Sequence, residues 1–262
     1  MPKFHFYKYQ GTGNDFIMID DRDDRFDITN FKNIEQLCDR RFGIGGDGLI
    51  LLRKHETTDF EMVYFNSDGK QSSMCGNGGR CIVAFANFLR LITDKKTIFT
   101  AIDGIHEAKI EGSDFVHLKM NDVLEVGKDG IDFVMNTGSP HYVREVVSVE
   151  GLNVFQEGQK IRYNDIYKEK GINVNFIEKV DSSNFKIRTY ERGVEDETYS
   201  CGTGVVASSI ASSILGDKKN NSFTIQSKGG ELKVNFEIEN NSFKNIWLSG
   251  PTVKVFEGDI NI

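Results

Sequence analysis

The chain has 262 residues, 39% of them hydrophobic and 27% charged, with a formal net charge of −7. That length can bury a sizeable core, and the acidic surplus argues against nucleic acid or an anionic membrane as a partner. No apolar run approaches the roughly 18 residues of a membrane helix, and the start lacks a signal peptide's apolar core, so a cytoplasmic protein is expected.

In chain order, Met1 to Tyr9 alternates apolar and polar residues and predicts a first strand. Further short runs bounded by Gly, Asn, Asp and Ser read as strands: Phe16–Ile19, Leu49–Leu52, Phe60–Phe65, Val116–Met120, Phe185–Tyr190 and Leu232–Phe236. A helix is expected near Asn33–Phe42, followed by a loop at Gly43–Gly46. Two segments differ. Residues from about Asn77 to Ile92 are apolar on nearly every face, and Cys201 to Leu215 are small and uncharged. Helices of that composition are buried.

The chain also repeats itself approximately. Gly13-Asn14 and Gly138-Ser139 each follow a Thr, and the distances onward to Cys75 and to Cys201 are 61 and 62 residues. Asn66 precedes Cys75 by nine residues, and Arg192 precedes Cys201 by nine. Two matched spacings predict a duplicated fold, each half a mixed, largely antiparallel sheet around a buried central helix. The halves are placed at 1–118, with a returning strand at about 251–262, and at 119–250.

Each central helix begins at a cysteine followed by glycines, Cys75-Gly-Asn-Gly-Gly and Cys201-Gly-Thr-Gly. A helix start leaves about four N–H groups unpaired, which attracts anions and favours thiolate over thiol. If two such starts converge on one carboxylate, two sulfurs stand on opposite sides of its α-carbon. One can remove a proton while the other delivers one, as racemisation or epimerisation requires. In a reducing compartment the four cysteines are not a disulfide framework, and their spacing suits no zinc ribbon, so no metal is expected. Cys38 and Cys81, inside helices, are assigned to packing. Neither glycine segment fits a phosphate-binding P-loop, since no Gly-Lys-Ser/Thr follows.

With these residues in view, the chain resembles the diaminopimelate epimerase family over essentially its whole length. The motifs that carry the resemblance are Gly11-Thr-Gly-Asn14-Asp15-Phe16, Arg41-Phe-Gly-Ile-Gly45-Gly-Asp47-Gly48, Tyr64-Phe-Asn66-Ser-Asp68-Gly69, Met74-Cys75-Gly76-Asn77-Gly78-Gly79-Arg80-Cys81, Gly138-Ser139-Pro140-His141, Gly171-Ile-Asn173-Val-Asn-Phe176, Tyr190-Glu191-Arg192-Gly193 and Cys201-Gly202-Thr203-Gly204. The resemblance implies a cofactor-independent epimerase of 2,6-diaminopimelate, in which Cys75 and Cys201 form the acid/base pair. It implies that Gly76, Asn77, Gly202 and Thr203 present donors to the reacting carboxylate. Asn14, Asn66, Asn173, Glu191 and Arg192 would grip the remote amino-acid end, with His141 and Ser139 in support. It also implies a homodimer whose only other partner is its small amino-acid substrate. The chain departs from the family at Ser139, where Asn is usual, and at Gly48, where Gln is frequent. A proline or hydroxyproline racemase of the same fold, and a non-catalytic amino-acid-binding or redox-sensing protein, are the competing readings.

Overall fold

A computed structural model describes residues 3–72, 74–216 and 218–261. Met1 and Pro2, at the head of the expected first strand, and Asp217, which closes the uncharged stretch, lie outside the described residues. The chain forms two compact units, Met1–Leu118 with Gly250–Ile262, and Lys119–Ser249.

In the first unit the chain runs β1 (Lys3–Gly11), β2 (Asn14–Asp20), α1 (Phe31–Cys38), β3 (Gly48–Arg53), β4 (Phe60–Asn66), α2 (Gly76–Phe88), β5 (Lys96–Ala101), β6 (Gly104–Glu111) and β7 (Phe115–Lys119). The second unit holds β8 (Gly127–Asp129), β9 (Asp132–Asn136), β10 (Pro140–Glu145), α3 (Val154–Arg162), β11 (Asn173–Lys179), β12 (Asn184–Glu191), β13 (Asp196–Thr198), α4 (Gly202–Leu215), β14 (Ser222–Ser227), β15 (Gly230–Glu239) and β16 (Ser242–Pro251). The last strand, β17 (Val253–Asn261), belongs to the first unit, where it pairs antiparallel with β1. The architecture is mixed α/β.

Strand pairing has the same grammar in both units. Along β17-β1-β2-β3-β4-β5-β6-β7 the pairings are antiparallel twice, parallel, antiparallel, parallel, then antiparallel twice. Along β8-β9-β10-β11-β12-β14-β15-β16 the succession is identical. Helices enter at matching places, α1 and α3 before the first parallel partner, α2 and α4 before the second.

In unit 1, Ile17, Ile19, Leu49, Leu51, Val63 and Phe65 pack with Ile34 and Leu37 of α1. The alternate residues face α2, where Phe16, Ile50 and Met62 surround Gly78. A sheet covered on both faces explains why β2 and β3 are apolar without alternation. In unit 2, Val174, Phe176 and Tyr190 pack with Val154 and Ile161 of α3. Residues of opposite parity, Asn173, Asn175 and Thr189, therefore project to the α4 face.

The elements foreseen in the sequence differ from those observed mainly at their ends, while β5, β6, β8–β11, β13, β14 and β16 have no counterpart in it. The first buried helix stops at Phe88, not Ile92, because Arg90 turns left-handed at φ 61°. Helix α1 spans Phe31–Cys38 and stops where Asp39 leaves helical geometry and its carboxylate takes the N–H groups of Arg41 and Phe42. Helix α3 has no counterpart in the sequence reading, although Asn153 caps it by accepting from Gln156 N–H.

Candidate active site

In unit 1 the site starts at the β1–β2 hairpin. Thr12 (φ 50°) and Gly13 (φ 85°) are both left-handed, the geometry of a two-residue hairpin that pairs Gly11 with Asn14. Asn14 thus opens β2 with its amide oriented by its partners. Nδ2 donates to Asp47 Oδ2, so Oδ1 faces the other way and accepts from Asn77 Nδ2 at 3.3 Å and from the Cys75 thiol at 3.6 Å. The anchor behind Asn14 is ionic. Arg40 bonds both Asp15 oxygens and Asp47 Oδ1, and Lys8 pairs with Asp15 at 2.8 Å. Burial pushes the Asp15 carboxyl up, but the bonds and charges of Arg40 and Lys8 outweigh it and hold it at about 2.

Cys75 is the N-cap of α2, in extended geometry, and its Sγ accepts the Gly78 N–H at 3.3 Å. The sulfur therefore occupies a position that Ser or Asp commonly fills at a helix start. Gly76 and Asn77 form the first turn, both buried.

In unit 2, Cys201 is the residue before α4, 9% exposed, with Gly202 and Thr203 in the first turn. Thr203 Oγ1 lies 3.5 Å from Cys201 Sγ and 2.8 Å from His141 Nε2. The directions of these bonds follow from Asn175. Its Oδ1 accepts from Thr189 Oγ1, and its Nδ2 donates to Tyr142 O at 3.0 Å and to His141 Nδ1 at 3.1 Å. A carbonyl only accepts, so Nδ2 is assigned, and His141 Nδ1 must be an acceptor. The proton of a neutral His141 then sits on Nε2 and points at Thr203. Burial, with the nearby positive Arg192, pulls His141 down to about 3, so it is neutral at physiological pH. Thr203 can accept from a Cys201 thiol or donate to a thiolate, and so serves either protonation state. Gly204 makes room for this network: a Cβ there would lie 2.4 Å from Asn175 Oδ1. Thr137 Oγ1 ties the β9–β10 turn to Thr203 O at 2.8 Å.

The other expected residues are distributed as follows. Asn173 donates to Ser139 Oγ at 2.9 Å and to Pro140 O at 3.0 Å, and accepts from Arg192 N–H at 2.9 Å. Both its amide hydrogens thus hold the Ser139–Pro140 turn, and its amide oxygen holds the Arg192 backbone. The exposed Arg192 reaches Lys170 O and Ser139 Oγ, at 3.1 and 3.3 Å. Glu191 accepts from Thr198 Oγ1 at 2.9 Å. Asn66 ends β4, half-buried and opposite Gly48 across the ladder, on the sheet face that α2 covers. At Gly48 a Cβ would come 2.4 Å from Phe65 O, so any side chain there would require the backbone to shift. The supporting residues Asn175, Thr189, Asp47, Arg40 and Lys8 had no assigned role in the sequence reading. Asn175 was detectable, standing two residues after Asn173 on the same strand face.

What the arrangement offers is a sulfur at each of two buried helix starts, beside backbone donors and polar side chains suited to a carboxylate. The family model for diaminopimelate epimerase matches residues 6–124 and 133–255. The chain belongs to the diaminopimelate epimerase family. The diaminopimelate epimerase of Flavobacterium psychrophilum is 54% identical over 254 residues, covering 97% of this chain and 99% of that protein. That of Chlorobaculum tepidum is 43% identical over 260 residues, covering 96% and 99%. Among solved structures, a Bacillus anthracis phenazine biosynthesis protein of the PhzF family aligns with TM-score 0.74 at 15% identity, covering 100% of both chains. A hydroxyproline epimerase from Agrobacterium vitis aligns with TM-score 0.69 at 13% identity, covering 98% and 92%. At those identities the two structures share the fold of this diaminopimelate epimerase family member and nothing finer. Family membership makes the chain an isomerase. Among the described residues no helix is long and apolar enough to cross a membrane.

Proposed function

We propose that the chain interconverts LL- and meso-2,6-diaminopimelate without a cofactor, with Cys75 and Cys201 as the two acid/base groups. The observation that carries this reading is that Cys75 and Cys201 of this family member each head a buried, glycine-opened helix. One sulfur, as thiolate, takes the α-proton. The electron pair of the broken C–H bond moves into the substrate carboxylate, where Gly76, Asn77, Gly202 and Thr203 supply donors. The second sulfur, as thiol, gives its proton to the opposite face, and the two protonation states are exchanged at the end of the turnover. Preorganised donors of this type contribute about 3–4 kcal/mol each in other enzymes.

Asn14, Asn66, Asn173, Glu191 and Arg192 are assigned to the remote end of the substrate, with Ser139 in support, and His141 supports the site through its bond to Thr203. A guanidinium suits its carboxylate and Glu191 its ammonium. Arg192 and Glu191 have no comparable use for a pyrrolidine ring, which disfavours the proline racemase alternative. The same reading makes the protein a cytoplasmic homodimer in lysine and cell-wall precursor biosynthesis, with light scattering at twice the chain mass as the test of the dimer.

The decisive experiment is proton NMR of the reduced protein with LL-diaminopimelate in deuterated water, beside Cys75→Ala. Loss of the α-proton signal and appearance of the meso isomer are expected, both abolished in the variant. A reduced, folded protein that exchanges no α-proton would remove the assignment, and proline isomers would be tried next.

A further inference from the structure

Arg80 stands in α2, five residues past Cys75, and is 0% exposed. Helical side chains lean toward the N-terminus, so its guanidinium lies beneath the first turn. Nη1 donates to Gly76 O at 3.4 Å, Nη2 donates to Thr12 Oγ1 at 3.1 Å, and Nε has no partner among the described residues. Burial pulls this guanidinium down, with Cys81 and Cys75 pulling the other way, yet an arginine in a protein keeps its proton. A buried cation without a counter-ion strongly opposes folding, so its retention needs a reason.

The surrounding titratable groups leave few candidates for the missing negative charge. Cys81, next in the same helix, has its thiol pushed up by complete burial. Tyr9 on β1 is likewise pushed up by burial and stays a neutral phenol. Asp15 on β2 is already engaged by Lys8 and Arg40. What remains is Cys75, or an anion bound at the head of α2. Among the described residues the second unit has no equivalent at the matching place. Five residues past Cys201 stands Val206, also 0% exposed.

We propose that Arg80 is a positioning residue for Cys75, a buried fixed cation that favours thiolate at the head of α2 and steadies, through Thr12, the turn carrying Asn14. Its catalytic meaning rests on the epimerase reading. Arg80 transfers no proton and touches no substrate. It makes the two half-sites unequal, so that in the substrate-free protein Cys75 is the thiolate and Cys201 the thiol, the charge distribution one direction of turnover requires.

The test needs no substrate. The rate of iodoacetamide addition at Cys75 and at Cys201 is followed from pH 5 to 10 by peptide mass spectrometry in the full chain, in Arg80→Met and in Arg80→Lys. A wild-type Cys75 midpoint below the ordinary thiol value of about 8.5 is expected. Arg80→Met should raise it by about one pH unit or more, with Cys201 moving less, and Arg80→Lys should restore it to near wild type. A wild-type midpoint at or above the ordinary value overturns the proposal. So does an unchanged midpoint in Arg80→Met, an equal shift at both cysteines, or a folded Arg80→Lys that fails to restore it. If Arg80→Met does not fold, the wild-type and Arg80→Lys midpoints decide. Failure of the epimerase reading would show separately, as absent α-proton exchange with these midpoints unaltered.

Discussion

His141 is a buried imidazole bonded on both nitrogens, and its ionisation is where a single residue reaches the stability of the whole chain. Unfolded, it takes a proton near 6.5; folded, only near 3. Between those values the unfolded chain holds a proton that the folded chain lacks, so stability falls as pH drops from 6.5 toward 3. The slope is up to about 1.4 kcal/mol per pH unit from this residue alone. Urea denaturation of wild type and His141→Gln at pH 7 and pH 5 is expected to show a smaller loss in the variant. Equal losses would mean that His141 is not held neutral. Asp15 acts lower on the scale: held at about 2 against an ordinary 3.8, it contributes stability that is complete above 3.8 and is lost as pH falls through 2.

At the scale of an element, α4 shows how a helix start becomes a site. Its small residues let it sit within unit 2 with Val205, Val206, Ala207, Ile210 and Ala211 all 0% exposed. That close packing leaves Asn175 against Gly204, and a side chain at Gly204 would meet the atom that accepts from Thr189. Gly204→Ala is expected to displace Asn175, free His141 from its tautomer and destabilise the protein by about 1–3 kcal/mol. The accompanying change in α-proton exchange should be a fall in kcat, measured beside the denaturation curve. A variant of unchanged stability and rate would show that the helix can shift to accommodate a methyl group. The first turn of α2 solves the same problem differently, with Cys75 itself capping Gly78 N–H, whereas Cys201 makes no side-chain cap bond to its helix.

For the molecule as a whole, the repeated pairing grammar is completed in unit 1 by the C-terminus. Strand β17 pairs with β1 from Lys3↔Asn261 to Gln10↔Val253, a place that the second unit fills with the local strand β8. Strand β1 leads directly into the Thr12-Gly13 turn, so the far end of the chain supports the position of Asn14. Truncation after Pro251 is expected to lower the melting temperature by on the order of 10 °C or to abolish a cooperative transition, and to reduce α-proton exchange with it. A truncated chain that melts like the full one would show β17 to be dispensable.

Much of the candidate site could be read in one dimension because its chemistry is local. Each cysteine is followed at once by the glycines and the largely apolar or small residues of its own helix, and helices as apolar as α2 or as small and uncharged as α4 are buried. The duplicated spacing likewise survives in the sequence, since in each half a strand, a helix and an antiparallel strand pair separate the turn from the helix that the cysteine opens, with the short β13 added in the second half. Helix α3 was not legible, because it is short and mostly polar, with a buried stripe of only Val154, Gly158 and Ile161 that packs against β11 and β12. The roles of Asn175, Asp47, Arg40 and Arg80 were not legible for a different reason. Each acts on a residue far away in the chain, with 34 positions between Asn175 and His141 and 68 between Arg80 and Thr12. Composition and local pattern carry no record of such pairs. They exist because a polar group removed from water must find its partner in space, and the folded sheets alone settle which partner that is.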